Sequence, residues 1–120
     1  MQFLLLIHED RRPFSLAQLK HIFRSVRGFH SIRSDGPGGE LIQAEFDAED
    51  DSTIVQLSDD LESVALTGAS GAALRAALLI QHYYGRPLRI FDLDYSFDLR
   101  LIDFRTVEEL DAAIDKARAE

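Results

Sequence analysis

The sequence predicts an α+β domain: a mostly antiparallel sheet of five or six strands with two or three helices packed on one face. Three observations predict it. Four short extended segments follow one another between the first two helix patterns, which leaves no room for the long crossovers that parallel neighbours need. Turn chemistry separates those segments at intervals of about ten residues, the spacing of consecutive antiparallel strands. The helices carry their own start and stop signals, and one is apolar nearly all round, as a helix buried against a sheet must be. With 120 residues, the chain is read as one domain, 1–120, able to bury roughly 65% of the surface its unfolded chain exposes.

The elements follow in order. The start, Met1 to Ile7, lacks a basic leading region, and its apolar run stops after five residues at His8-Glu9-Asp10, so it reads as a buried strand and not as a leader. Pro13-Phe14-Ser15-Leu16-Ala17-Gln18 opens a helix, with Ser15 as N-cap, Gln18 completing a capping box and Phe14 stapling to Leu19. Leu16, Leu19, Ile22, Phe23 and Val26 share one face, and Gly28 supplies a left-handed stop. A strand near Phe29 to Arg33 is followed by Ser34-Asp35-Gly36-Pro37-Gly38-Gly39, a turn that makes a hairpin with Leu41 to Asp47. Thr53 to Leu57 and Ser63 to Thr67 continue the extended pattern.

Gly71 to Tyr84 is the core helix, opened by Ser70 and closed by Gly85 and Pro87. From Phe91 to Leu101 apolar and polar residues alternate, which fits one long strand or two with a turn near Asp94. Thr106 and Glu109 form a capping box for a last amphipathic helix through Val107, Leu110, Ile114 and Ala117.

Charge is the feature with functional content. The net charge is −8, and between Arg33 and Arg75 there is no Lys, Arg or His while ten carboxylates accumulate. Such a field repels nucleic acid and anionic membrane and attracts a basic partner. The acids Glu45, Asp47, Glu49, Asp50, Asp51, Asp59, Asp60 and Glu62 are therefore the expected partner-binding set, falling into two turn clusters displayed at one end of the sheet. No apolar stretch reaches the eighteen or more residues of a membrane-spanning helix. The expectation is a soluble protein, cytoplasmic by default, a monomer or homodimer. Absence of Cys removes disulfide, thiolate and Cys-zinc chemistry.

Other constellations carry less. Asp92, Asp94 and Asp98 would share a face of a straight strand and offer oxygen ligands to a hard cation, but Phe97 stands where a calcium loop needs Gly, and a solvated sheet face accounts for the same residues. The four histidines form no ligand pattern, and no Gly-x-Ser-x-Gly is present. Gly68-Ala69-Ser70-Gly71 sits at a helix start and could receive an anion, although Ser70 capping its own helix is a sufficient account. Lys20, Arg24 and Arg27 cluster on the first helix, in a chain whose pI near 4.9 opposes nucleic-acid steering.

The functional expectation is a non-enzymatic, cofactor-free acidic protein-binding module of the inhibitor, immunity or antitoxin kind, whose carboxylates fill a basic cleft of a partner such as a bacterial toxin domain. The alternatives are a small enzyme or metal- or metabolite-binding protein using the Asp92, Asp94 and Asp98 face or the His8, Glu9 and Asp10 strand end, and a structural homo-oligomer.

Overall fold

The computed structural model describes residues 3–35, 41–68 and 70–119. Seven antiparallel strands form a single sheet with three helices, so the class is as expected and the strand count is higher. The elements run β1 (Phe3–His8), α1 (Leu16–Ser25), β2 (Phe29–Asp35), β3 (Leu41–Ala48), β4 (Asp51–Leu57), β5 (Val64–Thr67), α2 (Gly71–Tyr84), β6 (Leu88–Asp92), β7 (Asp98–Arg100), a 3₁₀ turn (Leu101–Asp103) and α3 (Val107–Ala119). The sheet order is β2-β3-β4-β5-β1-β6-β7. Strand β1 therefore lies inside the sheet, between β5 and β6, with Leu5 opposite Ala65 on one side and Phe91 on the other.

Burial alternates along the strands, and the inward set joins the helices in one core: Leu4 and Leu6, Ile42, Ala44 and Phe46, Val55 and Leu57, Val64 and Leu66, Leu88 and Ile90. Helix α2 lies over β3, β4 and β5, while α1 and α3 flank it. Small residues Ala72, Ala73, Ala76 and Ala77 are all buried and let the α2 backbone approach the sheet closely. The opposite sheet face carries Phe3, Leu5 and Ile7 of β1, each half-buried, and no described helix covers it.

Local signals account for most boundaries. Ser15 caps α1 by accepting from the Gln18 amide at 3.3 Å, and Thr106 and Glu109 form the expected reciprocal box, at 3.1 and 3.2 Å. Gly85, at φ 82, ends α2 with its amide on the Gln81 carbonyl. Two readings are corrected. Gly28 is left-handed at φ +107 but does not terminate α1, which ends at Ser25 with Val26 in extended conformation. Its role is close approach, since a Cβ there would lie 2.6 Å from Phe46 Cε1. Ser70 makes no side-chain cap bond to α2. Of the two arrangements that fit the alternation from Phe91 to Leu101, the second is found: the chain turns over 93–97 and pairs β6 with β7. Residues 36–40 of the β2–β3 turn and Ala69 lie outside the described residues.

Candidate partner-binding surface

The acidic clusters are separated by the strand that joins them. Glu49 and Asp50 form the turn closed by the Ala48–Asp51 pair, whereas Asp59, Asp60 and Glu62 lie in the turn closed by the Leu57–Val64 pair. Both turns hang from β4, at its opposite ends. A seven-residue strand puts them about 20 Å apart, so display at one end of the sheet is overturned. Two like-charged turns that alternate along a meander must leave at alternate ends.

Structural work occupies two of these acids. Asp51 Oδ2 accepts from the Ala72 amide at 3.1 Å, which places a carboxylate from β4 at the N-terminus of α2. That is the position where an anion was conceivable, and the chain fills it itself. Hydrogen bonding from the Ser70 hydroxyl and then from the Ala72 amide holds the Asp51 carboxyl below its ordinary value. Asp60 accepts from Ser58 Oγ at 2.6 Å and from the Glu62 amide at 3.0 Å, organising its own turn, and the Ser58 hydroxyl bond leads the lowering of its pKa.

Glu45 and Asp47 project with period two from β3 on the helix-free face. They flank His30 of β2, whose Nε2 is 2.7 Å from Asp47 Oδ2 and whose Nδ1 is 3.6 Å from Glu45 Oε2. Ser31 Oγ lies 2.9 Å from the same Nδ1, and Ser31 is left-handed at φ 52 where the β2–β3 register shifts. Ser, His and Asp thus meet in the order of a hydrolytic triad. The His30 and Asp47 side chains are 45% and 57% exposed, and a nucleophile needs a water-excluded site with donors aimed at the oxyanion. The cluster is suited to ion pairing on an open surface.

Asp92, Asp94 and Asp98 do not share a strand face. Asp92 is buried and turned toward the helices, accepting from the Ser96 amide at 2.7 Å, from the Ser96 hydroxyl, and from Arg118 Nη2 at 3.3 Å. Burial pushes its carboxyl up, and the Ser96 and Arg118 partners outweigh that and hold it below the ordinary range. The Arg118 guanidinium also lies over the Phe97 ring at 5.2 Å. A cation of the protein's own, Arg118, thus occupies the carboxylate that a metal ion could have used. Asp98 pairs with Arg89 at 2.7 Å, and Asp94 is exposed in the turn. Among the described residues no group of three His, Asp or Glu is arranged to hold a metal ion.

At the other end of the sheet, His8 is buried between Phe14 and Tyr84, with its Nε2 2.8 Å from the Tyr84 hydroxyl. Glu9 is drawn sideways to Arg100, at 2.6 Å. The His8, Glu9 and Asp10 strand end is therefore a packed and paired corner. The sheet edges are guarded: β7 has three residues, two of them charged, and β2 is bulged, both of which discourage strand addition.

No protein-family model, curated protein or solved structure matches this chain. Its own geometry carries the reading.

The helix-free face holds what charge counting missed. Phe3, Leu5 and Ile7 run down its middle strand, and Phe91 lies beside Leu5. Phe91 is 7% exposed, outside the helix-side core, and stacked under the 70% exposed Tyr95 ring at 5.1 Å and 8°. Ile54 on β4, 39% exposed, pairs across to Glu45 on β3. On this face one row crosses the sheet from Phe3 through Thr67 and Ile54 to Glu45, so Ile54 is the apolar residue beside the carboxylates of the β3–β4 hairpin, which lie toward the rim of the face. The signal was in the sequence. An unbroken run Phe3 to Ile7 belongs to a strand covered on both faces, and helices on one face only leave half of it uncovered.

Proposed function

We propose that the chain is a non-enzymatic protein-binding domain of the inhibitor type, and that it binds through the helix-free face of its sheet and the adjoining end of the β3–β4 hairpin. The observation that carries this is an apolar strip of Phe3, Leu5, Phe91 and Tyr95 on β1, β6 and the loop that follows, with Ile54 and then Glu45 on the same face two and three strands away. An exposed apolar patch of this kind marks an interaction site in soluble proteins. The partner it fits is a protein with an apolar patch bordered by Lys and Arg. The basic cleft of a toxin domain has that chemistry, and an immunity protein would occupy it through these groups. Glu45, Asp47, Glu49 and Asp50 steer the encounter, while Ile54 and Tyr95 anchor it. Asp59, Asp60 and Glu62 leave β4 at its other end and stand outside the proposed contact.

The test is capture from source lysate at low and high salt, followed by binding kinetics with the retained protein. Wild type and an Asp59→Asn/Glu62→Gln control are expected to bind alike. Glu45→Gln/Asp47→Asn/Glu49→Gln/Asp50→Asn is expected to slow association at least tenfold at low salt, and Ile54→Glu to speed dissociation. A partner that ignores both changes, or prefers the far turn, rejects this face.

A further inference from the structure

A second concavity lies on the other side of the molecule, beyond the sheet face. Helix α2 and the segment from Ile102 to Glu108 enclose a trough of about 730 Å³, within the range of small-molecule sites. Its α2 wall is one outward stripe, Arg75, Leu78, Leu79 and His82, at the i, i+3, i+4, i+7 spacing of a helix face. The opposite wall offers Phe104, Ile102 and Val107, with Arg105 at the rim. The leucines only partly close onto the core, so the floor between the cations is apolar.

Charge gives the trough a direction. Arg75, His82 and Arg105 enter none of the ion pairs among the described residues. Past Arg75 and Val107 the trough continues into a hollow of about 590 Å³ bordered by Glu49, Asp50, Asp51 and Glu108. Arg105 and His82 line the trough alone, whereas Arg75 also borders the acidic hollow, so the trough runs from Arg105 and His82 over an apolar middle to an end where one guanidinium meets several carboxylates. From Arg75 to His82 the floor measures about 10 Å along the helix, the length of a medium alkyl chain.

We infer that this trough binds a linear aliphatic monocarboxylate, with its head at Arg105 and His82 and its chain over Leu78, Leu79 and Phe104. A guanidinium fork is the natural partner of a carboxylate. The far end sets Glu49, Asp50 and Glu108 against the one guanidinium of Arg75, so the excess of negative charge there disfavours a second carboxylate. This site is independent of the sheet face, and either reading can fail alone.

Calorimetric titration of the full chain with decanoate below its aggregation concentration is the test, together with spectra that locate the ligand. Saturable binding is expected, with shifts at Leu78, Leu79 and Phe104. Decanol and butyrate are each expected to bind at least tenfold more weakly, one lacking the head and the other the chain, and decanedioate is expected to bind several-fold more weakly. Arg105→Gln should weaken decanoate about tenfold, and Arg105→Lys should recover part of that. No saturable binding, shifts confined to the sheet face, or an affinity unchanged in Arg105→Gln would overturn the inference.

Discussion

The Nε2 atom of His8 lies 2.8 Å from the hydroxyl of Tyr84, 76 positions away, and the same hydroxyl accepts the Ser15 amide at 2.9 Å. One phenol thus ties the end of β1 to the start of α1 and the end of α2. With the Ser15 amide donating to the phenol oxygen, His8 Nε2 is the partner within reach of the phenol proton, and the other ring nitrogen, Nδ1, lies 3.5 Å from Asp10. Burial is the main cause of a His8 pKa below 6.5, opposed by Asp10 and assisted by Arg86. Below pH 6.5 the unfolded chain takes up a proton that the folded chain refuses. Stability from this group is therefore full above that pH and falls as pH drops toward the folded value. Urea denaturation from pH 7.5 to 5 should show that decline in wild type and lose it in His8→Phe. Tyr84→Phe strands a buried acceptor and a cap-residue amide and should cost about 1–3 kcal/mol at neutral pH.

Arg118 holds the last turn of α3 to the β6–β7 loop through Asp92 and Ser96. The Asp92 side chain is 11% exposed and that of Arg118 32%, so the pair is partly solvated and weaker than a fully buried one. Arg118→Ala should destabilise by about 1–3 kcal/mol, with faster amide exchange in the final turn of α3. Arg118→Lys, which keeps charge and loses the fork, should recover only part. The Asp92 carboxyl ionises more readily folded than unfolded. Its stabilisation is present above pH 3.8 and is lost as pH falls through the lowered folded value.

Gly28 faces the Phe46 ring, and a methyl group would intrude to 2.6 Å at a backbone φ of +107. Gly28→Ala should destabilise by about 1–3 kcal/mol through overpacking and backbone strain together. Adding Phe46→Leu should relieve the overpacking and leave the backbone part, which a double-mutant cycle by thermal denaturation resolves.

The β3–β4 turn separates charge from backbone. Glu49 is left-handed at φ 55, a conformation that glycine adopts without penalty. Glu49→Gly should raise stability by about 1 kcal/mol while removing one rim charge, so a variant that is more stable yet associates more slowly would identify the carboxylate as functional. Asp51→Ala should act oppositely: it uncaps α2 and lowers the melting temperature, with Asp51→Asn intermediate because an amide oxygen still accepts from Ala72.

Much of the fold was legible because its signals are local. Ser15, Thr106 with Glu109, and Gly85 mark helix boundaries through bonds that span at most four residues. The strands of the meander announced themselves through alternation and turns. The misreadings share one cause, a local partner assumed where a distant one was present. Ser70 was expected to cap α2, and Asp51, 21 positions upstream of Ala72, does so. The three aspartates near residue 95 were placed on one strand face, and Arg118 takes the first of them into the protein interior.

By itself the sequence determined the α+β class, the order of the elements, the caps at Ser15, Gly85 and Thr106 with Glu109, and an acidic middle third, because each depends on periodicity or on groups a few bonds apart. Tertiary structure alone decided that β1 sits inside the sheet and that the acidic turns leave β4 at opposite ends. It also left Phe3, Leu5 and Ile7 on a face without a helix. These depend on which strand pairs with which, a choice made by the summed burial of all seven strands and three helices and not readable from any one segment.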